Sequence, residues 1–263
     1  MKKNYRKVFG QVLIVLILVF GSYAVYDNYV YESNTVKVAN WNLQIFGLTK
    51  ASDADLMNLY ADKISDYDII FIQEIRDATQ TSLPKLCAML ENYTCFSSSR
   101  AGRSDSKEQY GVIYRNGINV TLFTDFNPDP NDRWERPPIE VVFDINGHEL
   151  IIYNIHTKPD KVKLELKALE EVIRDKGNVI ILGDLNADCS YYDSADNAEL
   201  DNLIWVVNDW EDTTASGTNC AYDRIIMNEE AYKKFVKYSV DKEGIDTNVS
   251  DHYIAWVEVA VDK

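Results

Sequence analysis

A chain of 263 residues that is 46% hydrophobic and 12% aromatic can bury a large core and fits one large two-layered domain. Its formal charge of -15 and pI near 4.6 exclude binding of nucleic acid, or of any polyanion, through bulk positive charge. Such a ligand has to be met locally, by a few arginines and by metal ions.

The first 26 residues stand apart. Lys2, Lys3, Arg6 and Lys7 precede an uncharged stretch from Val8 to Tyr26, and Ser22-Tyr23-Ala24 offers a small-x-small cleavage site. This is the pattern of a secretory signal peptide; the competing expectation is a retained membrane anchor, because ~20 apolar residues span a bilayer. Basic residues on the N-terminal side leave the rest outside the cytoplasm in either case. No Gly/Ser/Pro linker and no short repeat follows, so residues 35–263 read as one domain.

Along that domain, Thr35 to Asn42 reads as the first strand. Asp53 to Ile64 carries Leu56, Leu59, Tyr60 and Ile64 at helical spacing behind Ser52 as N-cap. The strand Ile69 to Glu74 and a helix from Leu83 to Leu90 come next. Tyr110 to Arg115 and Ile118 to Phe123 predict a hairpin across Asn116-Gly117, and Ile139 to Ile145 with Glu149 to Ile155 predict another across Asn146-Gly147. Lys161 to Asp175 is amphipathic, with Val162, Leu164, Leu166, Leu169, Val172 and Ile173 inward. Val179 to Leu182 is a short β-branched run stopped by Gly183, and the final strands are Arg224 to Met227 and Tyr253 to Val261. Strands in hairpins mixed with a few covering helices predict two packed sheets flanked by helices.

Polar, metal-competent or proton-transferring side chains recur at the strand ends: Asn42, Glu74, His156, Asp184 with Asn186, and Asp251-His252. A strand followed by an Asp/Asn turn is the plainer reading of the 184–186 piece alone. Its recurrence at five places predicts one convergent site. Asp184 and Asn186 combine negative charge with an N–H donor, which suits a divalent cation beside a phosphate oxygen. Of the three histidines, His148 sits beside a turn and reads as exposed. Four cysteines in an exported chain are expected to pair. A bridge from Cys189 to Cys220 would pin two site loops together, and Cys87 with Cys95 would join a helix end to the following strand. Asn92, Asn119 and Asn248 stand in glycosylation sequons.

The pieces Trp41-Asn42-Leu43-Gln44-Ile45-Phe46-Gly47, Ile72-Gln73-Glu74-Ile75-Arg76-Asp77, Gly183-Asp184-Leu185-Asn186-Ala187-Asp188-Cys189-Ser190-Tyr191, Thr218-Asn219-Cys220-Ala221-Tyr222-Asp223-Arg224-Ile225 and Ser250-Asp251-His252-Tyr253 resemble the endonuclease/exonuclease/phosphatase superfamily. The two cysteine-containing pieces resemble its deoxyribonuclease I branch. The resemblance implies an α+β, four-layered α/β/β/α sandwich, two mixed β-sheets flanked by helices. It implies a secreted or membrane-tethered endonuclease that hydrolyses phosphodiester bonds of double-stranded DNA with low sequence specificity, using Mg2+ or Mn2+ with structural Ca2+. By the same resemblance Glu74, Asn42, Asp184 and Asp251 hold metal, and His156 with Glu108 and His252 with Asp223 are catalytic pairs. Arg76, Arg136, Asn186 and Tyr222 touch substrate, and Asp212, Thr214, Ser216 and Thr218 form a calcium loop. Which histidine acts as base is left open.

Departures from the family pattern sharpen the expectation. Asn127-Pro128-Asp129-Pro130-Asn131-Asp132 replaces a small disulfide loop, and Pro137 replaces a carboxylate beside Arg136, which removes a ligand of a second calcium site. Ser106 stands where a tyrosine packs on a DNA sugar. Ser97 stands at the actin-contact position, so no actin binding is expected, and the chain is expected to be a monomer. The rival readings are a sphingomyelinase-like phosphodiesterase of the same superfamily, favoured by an exposed apolar hairpin, or a non-catalytic binding module, signalled by loss of a histidine or carboxylate. Neither signal is present in the sequence.

Overall fold

Side-chain alternation along the apolar runs sets the architecture. In β2 (Ile69–Ile75) Ile69 and Phe71 face one side and Ile70 and Ile72 the other, and all four are fully buried. A strand buried on both faces has to be central and covered twice. Ile69 and Phe71 enter a core shared by two sheets, with Val38 and Val112 on their own side and Val141, Ile152, Ile180 and Leu182 opposite. Ile70 and Ile72 pack outward with Trp41, Tyr60 and Ile64, the last two from α2 (Ala54–Ile64). The second sheet mirrors this, with Val179 and Ile181 against Leu166 and Leu169 of α4 (Val162–Glu170). The result is the expected α/β/β/α sandwich. The structure, a computed structural model, describes residues 33–193 and 198–261. The signal-or-anchor segment 1–26 lies outside the described residues, among which no helix is long and apolar enough to cross a membrane.

The first sheet has the order β11-β12-β1-β2-β4-β3 and the second β5-β6-β7-β8-β10-β9. Their strands are β1 (Thr35–Phe46), β3 (Tyr93–Ser97), β4 (Gln109–Arg115), β5 (Asn119–Asp125), β6 (Ile139–Ile145), β7 (His148–Asn154), β8 (Asn178–Asp184), β9 (Ile204–Trp205), β10 (Asp223–Met227), β11 (Phe235–Asp241) and β12 (Ile254–Ala260). The central pairs β1·β2 and β7·β8 are parallel, and the other pairs are antiparallel. Both sheets therefore deliver the C-terminal ends of two neighbouring strands to one edge, where ligands are met.

Several expectations are corrected. Asn116-Gly117 does not close a hairpin: β4 pairs with β2 and β3, while β5 pairs with β6 in the other sheet, so this turn is the crossing between sheets. Buried Ile118 marks the crossing. Asn146-Gly147 does join β6 to β7, with φ of 56° and 90°, the paired positive values of a tight two-residue turn. Asp53, not Ser52, caps α2, accepting the N–H groups of Asp55 and Leu56, because Ser52 already ends the short helix α1 (Leu48–Ser52). The helix expected from Leu83 to Leu90 is the shorter α3 (Ser82–Cys87), and Leu164 faces solvent because α4 buries its opposite side, Val162, Glu165, Leu166, Ala168 and Leu169.

Candidate active site

Local backbone strain aims the first carboxylate. The β1·β2 register slips between Asn42 and Phe46, and Gln44, Ile45 and Glu74 take positive φ of 45°, 58° and 59°. Such conformations are costly for these residues and need local compensation. The compensation is a set of bonds to site groups. Gln44 N–H donates to Asn42 Oδ1 and Ile45 N–H to Glu74 Oε2, each at 2.8 Å. Asn42 Nδ2 in turn lies 3.0 Å from Asp184 Oδ2 and 3.4 Å from Glu74 Oε1.

Asp184 reaches this place because Gly183 precedes it. A Cβ on Gly183 would fall 1.9 Å from the Ile155 carbonyl oxygen, at a φ of 149°. Glycine alone lets the exit of β8 press against the segment after β7. That approach sets His156 beside Asp184.

Two histidines then face one carboxylate oxygen. His156 Nε2 lies 3.3 Å and His252 Nε2 3.6 Å from Asp184 Oδ2, all three side chains being nearly buried. Behind each ring stands a buried acid: His156 Nδ1 is 2.6 Å from Glu108 Oε1, and His252 Nδ1 is 2.6 Å from Asp223 Oδ2. Burial works against the charge on His252, but the Asp223 and Asp184 carboxylates outweigh it and hold its pKa well above 6.5. Burial likewise opposes the charge of Glu108, but His156 and Arg136 keep its carboxyl below the usual glutamate range. Asp251 Oδ1 is 3.8 Å from His252 Nε2, on the more open side.

Arg76 stands between two carboxylates, Nη2 3.0 Å from Glu74 Oε2 and Nε 3.6 Å from Glu108 Oε2, with Nη1 3.3 Å from Ser106 Oγ. Arg136 lies behind His156 and donates Nε–H to His156 O (2.9 Å) and Nη2–H to Thr157 O (2.8 Å). Asn186 Nδ2 donates to Thr157 O at 3.1 Å. The Tyr222 ring is 6.5 Å from that of His252, and Tyr191 packs 5.5 Å from Tyr222. Both disulfides form, Cys87–Cys95 and Cys189–Cys220.

Buried amides beneath the site escaped sequence reasoning. Asn40 Nδ2 donates to Asp223 Oδ1 at 3.0 Å, while Gln73 Nε2 bonds Asn40 Oδ1 and Asn154 Oδ1. Tyr110 OH accepts from His156 N at 3.0 Å. Each lies one or two residues from Asn42, Glu74, Glu108 or His156, but inside an apolar run that gives no sign of what the side chain meets.

The donor set fits a divalent cation. The Glu74 and Asp184 carboxylates meet across the Asn42 amide, Asp251 stands on the far side of His252, and Glu74, Glu108 and His156 place ligand atoms within 4.8 Å of one another. In the 212–218 loop, Thr214 Oγ1 lies 3.0 Å from Asp212 Oδ1 and 2.7 Å from Thr218 O, and Ser216 Oγ 2.8 Å from Thr218 Oγ1. These oxygens are tied to one another by hydrogen bonds within the loop. This loop also pairs with the segment 251–253: Ala215 N–H donates to Asp251 O and Tyr253 N–H to Thr213 O, both at 2.8 Å. The 129–135 loop is cross-linked instead by cations of the chain itself. Arg133 pairs with Asp129, and Arg103 gathers Asp132, the Trp134 carbonyl and Glu135.

A two-sheet sandwich whose joined edges present carboxylate-backed histidines around one aspartate defines a hydrolase of the nuclease and phosphatase class. The model of the endonuclease/exonuclease/phosphatase family matches residues 39–252. Chicken deoxyribonuclease-1 is 32% identical over 78% of this chain and 81% of its own length, and rat deoxyribonuclease-1-like 1 is 32% identical over 86% and 81%. Among solved structures, a Bacteroides thetaiotaomicron protein of the endonuclease/exonuclease/phosphatase family matches with a TM-score of 0.64 at 18% identity, covering 89% of this chain and 100% of that one. A mannosyl-6-phosphatase from the same organism matches with a TM-score of 0.63 at 18% identity, covering 84% and 98%. The chain belongs to the deoxyribonuclease I family of that superfamily and is a nuclease-type hydrolase.

Proposed function

We propose that the protein is a metal-dependent endonuclease that cuts double-stranded DNA with little sequence preference, exported from the cytoplasm or tethered to a membrane through residues 8–26. The observation that carries this reading is the pair of histidines, each backed by a buried acid, facing one oxygen of Asp184. A carboxylate on Nδ1 fixes the proton there and leaves Nε2 to exchange a proton with substrate. One imidazole takes the proton of the attacking water and the other gives a proton to the departing 3′ oxygen, which is what displacement at phosphorus needs. Glu74 with Asn42, Asp184 and Asp251 would hold Mg2+ or Mn2+. When bound, the cation supplies charge to offset the negative charge developing on the phosphate oxygens. Arg76, Asn186 and Tyr222 would contact substrate, with Arg136 drawn back onto the His156 and Thr157 carbonyls behind them, and two disulfides suit an oxidising compartment. We hold the chain to be a monomer without an actin site, given Ser97 on the edge strand β3.

The feature favouring a lipid phosphodiesterase is the pair Ile45 and Leu48, each 56% exposed near Glu74. Two side chains fall short of a lipid-binding hairpin, so DNA remains the preferred substrate. The test is nicking of supercoiled plasmid by residues 25–263 with Mg2+ and Ca2+, against a chelator control and His252→Ala. Nicked circles are expected with metal, and His252→Ala is expected to lose ~10²–10⁴-fold of the rate. No cleavage by the folded, disulfide-bonded protein would shift the reading to another phosphodiester.

A further inference from the structure

Resting on the catalytic reading of His156, we propose that Glu165 is a positioning residue that locks the strap 134–136 across the back of the His156 loop. Glu165 lies on α4, outside the cleft, and is 1% exposed. A carboxylate at such a depth is costly unless its oxygens are engaged. They are engaged by backbone donors from two different loops. Oε1 accepts the Glu135 N–H at 2.8 Å and Oε2 the Lys158 N–H at 3.0 Å, while the Glu165 carbonyl accepts Trp134 Nε1–H at 2.9 Å.

One side chain thus holds the residue before Arg136 and the second residue after His156. Arg136 closes the circuit by donating to His156 O and Thr157 O, and its own carbonyl accepts from Tyr110 OH, which accepts the His156 N–H. Glu108, the acid behind His156, lies 3.4 Å from Arg136 Nε. The two backbone N–H groups that the Glu165 side chain fixes, one on the strap and one on the His156 loop, therefore both bear on where the imidazole sits. An apolar residue at 165 would pack on the same helix face but would orphan two N–H groups. The ring would then be free to shift from Asp184, and small misplacements of a reacting group cost large factors in rate.

The experiment is steady-state cleavage of a DNA duplex by the full chain with Mg2+ and Ca2+. Glu165→Gln, which keeps the shape and loses one acceptor, and Glu165→Met, which loses both, are each measured in the wild-type and His156→Ala backgrounds. For Glu165→Gln the expected result is a kcat lowered roughly 10- to 100-fold with KM near wild type and a melting temperature lowered by only a few degrees, as one orphaned N–H predicts. Glu165→Met is expected to fall at least as far. In the His156→Ala background, adding Glu165→Gln is expected to change the residual rate by less than about twofold, because residues acting as one unit are non-additive. The same loss in both backgrounds, or wild-type kcat for both Glu165 variants, would overturn the proposal. Wild-type turnover by His156→Ala alone would sink the catalytic assignment beneath it, a result read without any Glu165 variant.

Discussion

His252 shows how a single side chain ties the site's chemistry to the stability of the fold. Its pKa is held above 6.5 by Asp223 and Asp184 despite its burial, so the folded state binds a proton more tightly than the unfolded chain. The sign follows directly: this stabilisation is complete below pH 6.5 and is lost as pH rises through the higher folded value. In the presence of a chelator, the melting-temperature difference between wild type and His252→Gln is expected to shrink steadily above pH 6.5. A difference that stays constant or grows with pH would contradict the imidazolium–carboxylate pair. At this scale the sequence was readable where chemistry is rare. Three histidines in a chain are few enough to weigh singly, and His156 and His252 were separable from His148 by their places at strand ends. Asn40, Gln73 and Asn154 were not separable, because a polar residue inside an apolar strand looks the same in sequence whether it meets another strand's amide or water.

Among the elements, the strands central to each sheet were legible because burial on both faces writes a continuous β-branched run. Of the four edge strands, β5 was betrayed by the turn before it, whereas β3, β9 and β11 were not legible, since one-sided burial leaves only a weak alternation. The Asn116-Gly117 turn misled for a related reason: turn chemistry fixes a reversal of the chain, not the sheet to which the next strand returns. The oxygen-bearing side chains at 212, 214, 216 and 218 stand plainly in the sequence, yet the pairing of their loop with residues 251–253 is a tertiary fact. That pairing gives the loop a consequence for the fold. Calcium at about 100 times its Kd is expected to stabilise the protein by about 2.7 kcal/mol. Asp212→Ala is expected to abolish the calcium-dependent rise in melting temperature. Calorimetry with and without Ca2+ checks this, and an equal rise in the variant would exclude the loop as the binding site.

Over the whole molecule, a formal charge of -15 faces a polyanionic substrate, and two ranges of electrostatics act in opposite directions. Long-range repulsion between protein and duplex slows encounter and is screened as the Debye length falls from ~30 Å at 0.01 M salt to ~10 Å at 0.1 M. Short-range contacts by cations, as proposed for Arg76, release counterions from the DNA and weaken as salt rises. A basic nuclease would show only the second effect and lose activity monotonically. Here few cations stand at the cleft, and both Arg76 and Arg136 are already shared with Glu108, so the contact term is small and repulsion governs the low-salt limb. At fixed saturating Mg2+ and Ca2+, kcat/KM on a short duplex is therefore expected to rise as monovalent salt is raised from ~10 to ~100 mM and to fall beyond it. A monotonic fall across that range would mean that phosphate contacts outnumber those visible at the cleft. It would place the missing cations on the exposed basic residues beside the site, Arg103 and Lys158 first, since both reach Glu135 on the strap that backs His156.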